Sequence, residues 1–205
     1  MLSFYSSHFD AVEINNTFYR MPAASVFEQW RAQVPEGFRF AIKAPQRITH
    51  QKRLAETTDD VSRLVEVSAV LGEFRGPILF QLPPYLRKNI ELLRQFLGAL
   101  PRGPEVAFEF RHESWFDDEV FGRLRAKSCA LCVADSEDLP APELVNTACW
   151  GMLRLRRETY PKPKLVEWLA KAKSQKWDTA YVFFKHEDSG TAPKFADQFL
   201  ELLKS

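Results

Sequence analysis

Seven short apolar runs recur along the chain, and each ends in a polar or charged side chain that is followed by a loop. Between most of these runs lies a segment of helical length with apolar residues every three or four positions. Strands and amphipathic helices in alternation are typical of a parallel α/β barrel, which carries its functional site at the strand ends. The predicted strands are residues 11–15, 38–43, 78–81, 106–111, 131–135, 150–156 and 181–185.

The segments between and after the strands predict six helices. In residues 59–71, Val61, Leu64 and Val65 fall on one helical face. Ser114 is predicted to cap the helix over 115–127, because three acidic residues follow it in the first turn. The segment 136–148 is short and contains proline, so we expect no full helix there. The predicted helices are residues 26–34, 59–71, 90–100, 115–127, 165–173 and 194–203.

The number of strands is one short of the eight in a closed (β/α)8 barrel. Residues 2–9 predict the helix that would follow a first strand, and no strand precedes them. Either the barrel is open at this edge, or the native polypeptide starts earlier and Met1 is an internal residue; we favour the second explanation. We therefore expect one α/β domain over residues 1–205, a TIM-type (β/α)8 barrel that is incomplete at its N-terminus and lacks its first strand.

Composition narrows the range of partners. The 205 residues carry a net charge of +1, so the chain has no global positive field of the kind that binds nucleic acid nonspecifically. No apolar run is long enough to cross a membrane, and the N-terminus does not resemble a signal peptide. Cys129 and Cys132 form a C-x-x-C pair, which we interpret as buried free thiols. We expect a cytoplasmic protein with no membrane partner.

The alternation of side chains along each strand predicts which residues face the barrel lumen. In residues 38–43, the bulky Phe38 and Phe40 suit packing against outer helices, whereas Ala41 and Lys43 suit a narrow lumen. The same argument applied to every strand predicts a polar rim. Its members are Glu13, Asn15, Lys43, Gln81, Glu109, Arg111, Asp135, Arg154, Arg156 and Lys185.

A buried charge without a partner costs several kcal/mol, so the collection of charges at this rim needs an explanation. A functional site is the interpretation we favour, because barrel enzymes place their chemistry at the carboxyl ends of the strands. The alternative is a structural ion-pair network, since three acids nearly balance five bases.

The excess of basic residues favours an anionic ligand. Residues 47–53 add further positive charge. Near the last helix, Gly190 and Thr191 can offer backbone N–H groups to a phosphate, although the acidic Glu187 and Asp188 in the same loop would repel it.

Several roles are open for these residues. Glu13 and Glu109 can form a general acid–base pair, and Lys43 or Lys185 can be a Schiff-base nucleophile. A weaker alternative is a divalent metal held by Glu13, Glu109, Asp135 and His112. We predict catalytic roles for Glu13, Lys43, Glu109, Asp135 and Lys185. We predict substrate binding by Asn15, Gln81, Arg111, His112, Trp115, Arg154, Arg156, Gly190 and Thr191. His112 and Trp115 have equally good alternatives, a capping role for the first and packing on the barrel rim for the second.

The chain resembles the YecE-like family, a family of TIM-barrel proteins of unknown function. The resemblance rests on residues 9–20, 38–45, 48–50, 79–84, 107–112, 114–115, 131–135 and 153–156. It implies a TIM-barrel fold and a characteristic mouth formed by Glu13, Asn15, Lys43, Gln81, Glu109, Arg111 and Asp135. The family usually opens with a strand bearing a Gly-x-Ser-Gly-Trp-like motif, which this chain lacks, and residues 184–193 replace an asparagine-rich ending. The resemblance implies no reaction, because a fold does not fix a function.

Two functions follow as expectations. The first is an enzyme that uses acid–base or hydrolytic chemistry on a small anionic, phosphate- or carboxylate-bearing substrate. The second is a noncatalytic nucleotide or nucleic-acid binding module that uses the basic residues 47–53 and Tyr19, Trp115 and Tyr160 as stacking surfaces. The sequence identifies no cofactor and no oligomeric state.

Overall fold

The computed structural model describes residues 2–138, 141–184 and 190–204. Within these residues, seven parallel strands follow one another around a nearly closed barrel in sequence order, which confirms the predicted TIM-type fold with one strand missing. All seven predicted strands are present, with ends that differ from the prediction by a few residues. The strands are β1 (Ala11–Ile14), β2 (Arg39–Lys43), β3 (Arg75–Gln81), β4 (Val106–Glu109), β5 (Ala130–Asp135), β6 (Trp150–Leu155) and β7 (Thr179–Phe184).

A helix follows most of the strands, and the helices cover the outside of the barrel. The described helices are α1 (Leu2–Ser6), α2 (Ala24–Arg31), α3 (Thr58–Ser68), α4 (Ile90–Ala99), α5 (Asp118–Arg125), α6 (Lys162–Ser174) and α7 (Ala192–Lys204). The described part of segment 136–148 contains no helix, as the prolines predicted. None of the described helices combines the length and apolar character that a bilayer-spanning helix needs.

The start of α5 differs from the prediction. Asp117 caps this helix, because its side chain accepts a hydrogen bond from the backbone N–H of Val120 at 3.0 Å. Ser114 instead lies in a short 3₁₀ turn, Glu113–Trp115, and its hydroxyl accepts a hydrogen bond from the N–H of Lys88. The sequence offered two capping side chains three positions apart, and the later one begins the helix.

The side chains divide into an outer and an inner core, as the alternation predicted for β2 and β4. Phe40, Phe80 and Phe108 belong to the outer core between sheet and helices. Ala41 and Ala107 belong to the inner core within the lumen. The inner core is formed by Ala41, Leu79, Ala107, Ala130, Cys132, Trp150, Met152 and Tyr181. Small residues dominate this group on β2, β4 and β5, so the lumen there is narrow.

A seam separates the two ends of the sheet. Within the described ranges, β1 pairs only with β2, and β7 pairs only with β6. A cavity of about 1080 Å³ lies between β1 and β7 and reaches Glu13, Asn15 and Arg154. An eighth strand would take this position in a closed barrel.

The two cysteines of the C-x-x-C pair are buried and free, as expected. Cys132 points into the lumen and Cys129 lies in the outer core. Burial raises the pKa of Cys129 to about 12 and that of Cys132 well above its ordinary value, so both are protonated thiols at neutral pH.

Candidate functional site at the barrel mouth

Arg154 joins two buried carboxylates across the lumen. Its Nε and Nη2 donate to the two carboxylate oxygens of Glu13 at 2.7 Å each, and its Nη1 donates to Glu109 Oε2 at 2.5 Å. The side chains of Arg154, Glu13 and Glu109 are 3%, 7% and 0% exposed. We call these three residues the buried ion cluster. They come from β6, β1 and β4, which confirms that these strand ends converge on the lumen.

Glu109 has further partners on its other oxygen. Gln81 Nε2 donates to Glu109 Oε1 at 2.7 Å, and Arg111 Nε donates to the same atom at 3.0 Å. Gln81 is held in place because β3 and β4 are in register at these two residues. Three other predicted rim residues are therefore bonded to Glu109 or Arg154, namely Glu13, Gln81 and Arg111.

The charges in the cluster determine the protonation states of Glu109 and Arg154. Burial alone would raise the pKa of Glu109, but the positive charges of Arg154 and Arg111 outweigh it and lower this pKa to about 2. Burial alone would lower the pKa of Arg154, but Glu109 and Glu13 raise it above its ordinary value. Glu109 thus carries no proton at neutral pH, and it is suited to hold the two arginines in place.

Lys43 lies beside this cluster at the end of β2. Its Nζ lies 4.2 Å from the centroid of the Phe18 ring, and its backbone carbonyl accepts a hydrogen bond from the Thr17 hydroxyl at 2.7 Å. Among the described residues, no carboxylate lies within 4.0 Å of its ammonium group.

The ammonium of Lys43 is destabilised by its surroundings. Burial and the charge of Arg154 lower the pKa of Lys43 to about 8, although Glu109 and Glu13 act in the opposite direction. His50 follows in the next loop, and its ring packs edge-on against Phe18 at 4.9 Å. Burial and the charge of Lys43 lower the pKa of His50 as well.

Arg156 is a second cation without a carboxylate partner in the described part of the chain. It is partly buried, and burial followed by the charge of Arg154 lowers its pKa. Arg111 is also partly buried and contributes only its Nε to Glu109. Asn15 lines the same cavity as Glu13 and Arg154. The predicted residues at this end therefore form one neighbourhood with an excess of positive charge.

Asp135 is an exception, and its predicted position in the lumen is wrong. Its carboxylate accepts hydrogen bonds from Arg157 Nε at 2.7 Å, Tyr160 OH at 3.1 Å and Trp168 Nε1 at 3.2 Å. Trp168 belongs to α6, so Asp135 faces the outer layer. The neighbouring residues show why, since Cys132 fills the lumen and Val133 packs in the outer core. Asp135 shares the orientation of Val133 and ties β5 to α6.

Two other predicted ligand-binding residues have structural roles in this structure. Trp115 is 1% exposed, stacks on Phe110 with a centroid distance of 4.7 Å, and donates its indole N–H to the Leu86 carbonyl. The stacking surfaces predicted at Trp115 and Tyr160 are therefore wrong, because both rings are buried. His112 Nδ1 accepts a hydrogen bond from the Ser114 N–H, which is the capping alternative.

Between β7 and α7, the described residues are Gly190 and Thr191. Lys185, Glu187 and Asp188 lie outside the described residues. Gly190 is exposed with a φ of 61°, and Thr191 directly precedes α7. The predicted phosphate site at Gly190 and Thr191 remains a prediction.

The basic segment 47–53 is partly neutralised by one carboxylate. Arg47 Nε and Lys52 Nζ each lie 2.8 Å from a carboxylate oxygen of Asp60. Arg53 remains, and its guanidinium lies 5.5 Å from the centroid of the exposed Tyr85 ring. This segment therefore adds less free positive charge to the mouth than its composition indicated.

The four residues considered as metal ligands do not form a ligand set. Glu13 and Glu109 are both bound to Arg154, Asp135 faces α6, and His112 caps a turn. In the described ranges, no three His, Cys, Asp or Glu side chains group closely enough to hold a metal ion.

Sequence reasoning missed two residues that shape the site. Thr17 fixes the backbone at the end of β2, and Phe18 provides the ring beneath the Lys43 ammonium. Both lie in segment 9–20, directly after Asn15. The available signal was a polar residue and an aromatic residue in the loop that follows a strand end.

Comparison with known proteins agrees with this architecture. The UPF0759 protein YecE of Escherichia coli K12 is 34% identical over 113 residues, which is 55% of this chain and 42% of YecE. The UPF0759 protein YunF of Bacillus subtilis is 32% identical over 132 residues, 58% of this chain and 45% of YunF. The matches thus span less than half the length of these curated relatives.

The crystal structure of a DUF72 family protein from Enterococcus faecalis V583 superposes with a TM-score of 0.85 at 21% identity. It covers 100% of this chain and 94% of that one, which shows the shared fold. Residues 1–205 also match the family described as "Protein of unknown function DUF72" over their full length. The resemblance that the sequence motifs indicated is thereby confirmed, and the chain belongs to the DUF72 family.

Proposed function

We propose that this protein is an enzyme that binds a small anionic substrate at the barrel mouth and acts on it by acid–base or hydrolytic chemistry. The observation that carries the proposal is the pair of partly buried cations, Lys43 and Arg156, that lack a carboxylate partner among the described residues. Burying a cation without a partner is unfavourable, so a site that keeps two of them is suited to a ligand of opposite charge.

The balance of charge around the buried ion cluster also favours an anionic ligand. Two carboxylates, Glu13 and Glu109, face four basic side chains, Arg111, Arg154, Arg156 and Lys43. Two negative and four positive charges leave a local charge of about +2 when Lys43 is protonated. A phosphate or carboxylate group of the substrate would complete this balance.

The structure also supports different roles for the arginines and for Lys43. Glu109 and Glu13 hold Arg154, and Glu109 holds Arg111, so the guanidinium groups are oriented before a ligand arrives. Lys43, with a pKa of about 8, can give or take a proton near neutral pH, which a glutamate with a pKa of about 2 cannot do. Arg156 and Arg111 would bind the anionic group, and Lys43 would transfer the proton.

Calorimetric titration with inorganic phosphate and with acetate tests anion binding. Arg156→Met should weaken binding about 10-fold to 100-fold, since a charge-assisted hydrogen bond contributes roughly 1.5–3 kcal/mol. Arg94→Met is the matched control, because Arg94 is exposed on α4 and pairs with Glu91. If Arg156→Met binds each anion with the same affinity as the parent protein, the proposal is contradicted.

Turnover is tested separately on a panel of phosphate esters and small carboxylic acids, with products detected by mass spectrometry. Lys43→Met should abolish turnover, and Glu109→Gln should reduce it because Arg154 and Arg111 lose their anchor. If both variants convert every substrate of the panel as the parent protein does, the enzymatic proposal is wrong.

The alternative, a nucleotide or nucleic-acid binding module, has less support. Of the three rings predicted to stack on bases, Trp115 and Tyr160 are buried. Two of the predicted basic residues, Arg47 and Lys52, bind Asp60. What remains is Tyr19, 74% exposed, and Arg53 over Tyr85. A salt titration of oligonucleotide binding tests it, since binding through phosphates falls steeply as salt rises. An absence of affinity at low salt would exclude this alternative.

A further inference from the structure

We propose that Lys43 is a nucleophile that forms an imine with an aldehyde or ketone carbonyl of the anionic substrate. This inference rests on the proposed function, because the anion bound by Arg156 and Arg111 brings the carbonyl to the lysine. It narrows the substrate class to small molecules that carry a carbonyl group beside a carboxylate or a phosphate.

The first support is the placement of Lys43. The residue ends β2 at the barrel mouth, where parallel barrels gather their reactive side chains. The Thr17 hydroxyl donates to the backbone carbonyl of Lys43 at 2.7 Å, so the backbone of Lys43 is held in place. The ring of Phe18 lies under the ammonium and shields one side of it from water.

The second support is the contrast with other lysines. Lys52, Lys88, Lys164 and Lys171 each bind a carboxylate within 4.0 Å. Lys43 has no carboxylate within 4.0 Å in the described part of the chain, and the charge of Arg154 opposes its ammonium more than either Glu109 or Glu13 supports it. An amine in a cationic, partly desolvated site is the arrangement that activates a lysine as a nucleophile.

The protonation of Lys43 agrees with this geometry. With a pKa of about 8, the amine is neutral in about a tenth of the molecules at pH 7. An ordinary lysine with a pKa near 10.5 would be neutral in only about 0.03%. The population of reactive amine is thus higher by a factor of about 300.

The reaction needs no external reagent. The lone pair of the neutral amine attacks the carbonyl carbon, a C–N bond forms, and the carbonyl oxygen takes up a proton that the nitrogen loses. The resulting carbinolamine loses its hydroxyl group together with the second nitrogen proton as one water molecule, and a C=N bond remains. His50 and Lys43 both contact the Phe18 ring, at 4.9 Å and 4.2 Å from its centroid, so the His50 imidazole would relay these protons.

Reductive trapping tests the inference on the whole chain. Three two-carbon aldehydes serve as probes: glyoxylate with a carboxylate, glycolaldehyde phosphate with a phosphate, and neutral glycolaldehyde. Cyanoborohydride reduces any imine to a stable secondary amine, and peptide mapping by mass spectrometry locates the adduct. Comparison of the first two probes shows which anionic group the site prefers.

The expected result is an adduct at Lys43 that forms at least 10-fold faster than adducts at Lys171, with one or both anionic probes but not with neutral glycolaldehyde. Lys171 is the internal control, since it also lies over an aromatic ring, Trp168, but binds Glu167. Lys43→Met should lose the fast adduct, whereas Lys171→Met should retain it. Arg156→Met should slow the reaction at Lys43 with the anionic probes.

Labelling of Lys43 no faster than Lys171 with both anionic probes would overturn the inference. If the parent protein binds phosphate and acetate in the calorimeter yet gives no fast adduct, the imine is wrong and the proposed function stands. If it binds neither anion, the proposed function is wrong, and the inference that depends on it is wrong as well.

Discussion

Arg154 and Glu13 lie 141 positions apart in the sequence and form a two-point ion pair, with both N–O distances at 2.7 Å. Their strands, β6 and β1, are not neighbours in the sheet, so the pair spans the lumen beneath the mouth. Together with Glu109, it closes the lumen with a layer of buried charge above the apolar inner core.

Removal of the arginine from this layer should be costly. Arg154→Met leaves the buried Glu13 without its counterion and leaves Glu109 with Arg111 as its remaining basic partner among the described residues, so we expect a loss of about 3–5 kcal/mol in the free energy of unfolding. Urea denaturation at neutral pH, followed by circular dichroism, measures it. Arg94→Met, at an exposed pair on α4, should cost far less, because solvent screens that pair. Equal losses in the two variants would show that the cluster does not stabilise the fold.

Glu109 should make the protein sensitive to acid. Its pKa is about 2 in the folded protein and near 4.5 in the unfolded chain, so between these values the unfolded chain binds the proton and the folded protein does not. The stability due to Glu109 is therefore complete above about pH 4.5 and is lost as the pH falls toward about 2. Glu109→Gln should be less stable than the parent protein at neutral pH, and the difference should shrink over this range.

Unfolding by urea at a series of acidic pH values measures this dependence. Glu143→Gln, at an exposed glutamate, controls for the loss of one negative charge. A constant difference between Glu109→Gln and the parent protein at all pH values would contradict the assignment.

Lys43 should make the stability of the folded protein depend on pH in the alkaline range. Between about pH 8 and 10.5, the unfolded chain holds the lysine proton, whereas the folded protein has released it. Since the unfolded state binds more protons there, this group makes the folded protein more stable as the pH rises. Lys43→Met should remove that contribution, so the stability of the variant relative to the parent protein should fall between these values. Thermal unfolding in matched buffers measures it, and a parallel course of the two curves would refute the prediction.

Two glycines should respond to alanine in opposite ways. A methyl group on Gly151 of β6 would overlap the indole ring of Trp177, so Gly151→Ala should cost about 1–3 kcal/mol. Gly98 lies in α4 with no atom near the position of a Cβ, so Gly98→Ala should stabilise the protein by about 0.5–1 kcal/mol. Chemical denaturation of both variants measures the contrast. Destabilisation of similar size at both positions would show that contact with Trp177 is not the cause.

The alternation of side-chain size predicted the orientation of β2 and β4 because bulky and small residues separate cleanly there. In β5 the same rule applies, since Ala130 and Cys132 fill the lumen. Asp135 then has to face outward, but a charged residue at a strand end was taken as a sign of the lumen. The error came from giving the position of the charge more weight than the size of its neighbours.

The partners within the site could not be predicted in the same way. The sequence placed Glu13, Glu109 and Arg154 at one rim, but which carboxylates the arginine reaches depends on the stagger of the strands around the barrel. The ion pairs of Arg47 and Lys52 with Asp60 depend on how α3 packs beside the loop after β2. Both are properties of tertiary geometry, which no local pattern encodes.

Because of the seam between β1 and β7, the central strands of the sheet should be more stable than the two strands at its margins. Each strand in the middle is hydrogen-bonded on both sides, whereas β1 and β7 are bonded on one side only in the described residues. Backbone amides of β3 and β4 should therefore exchange with deuterated solvent last, and those at the two margins first. The motions that admit a ligand to the mouth would then begin beside Glu13, at the margin nearest the buried charges.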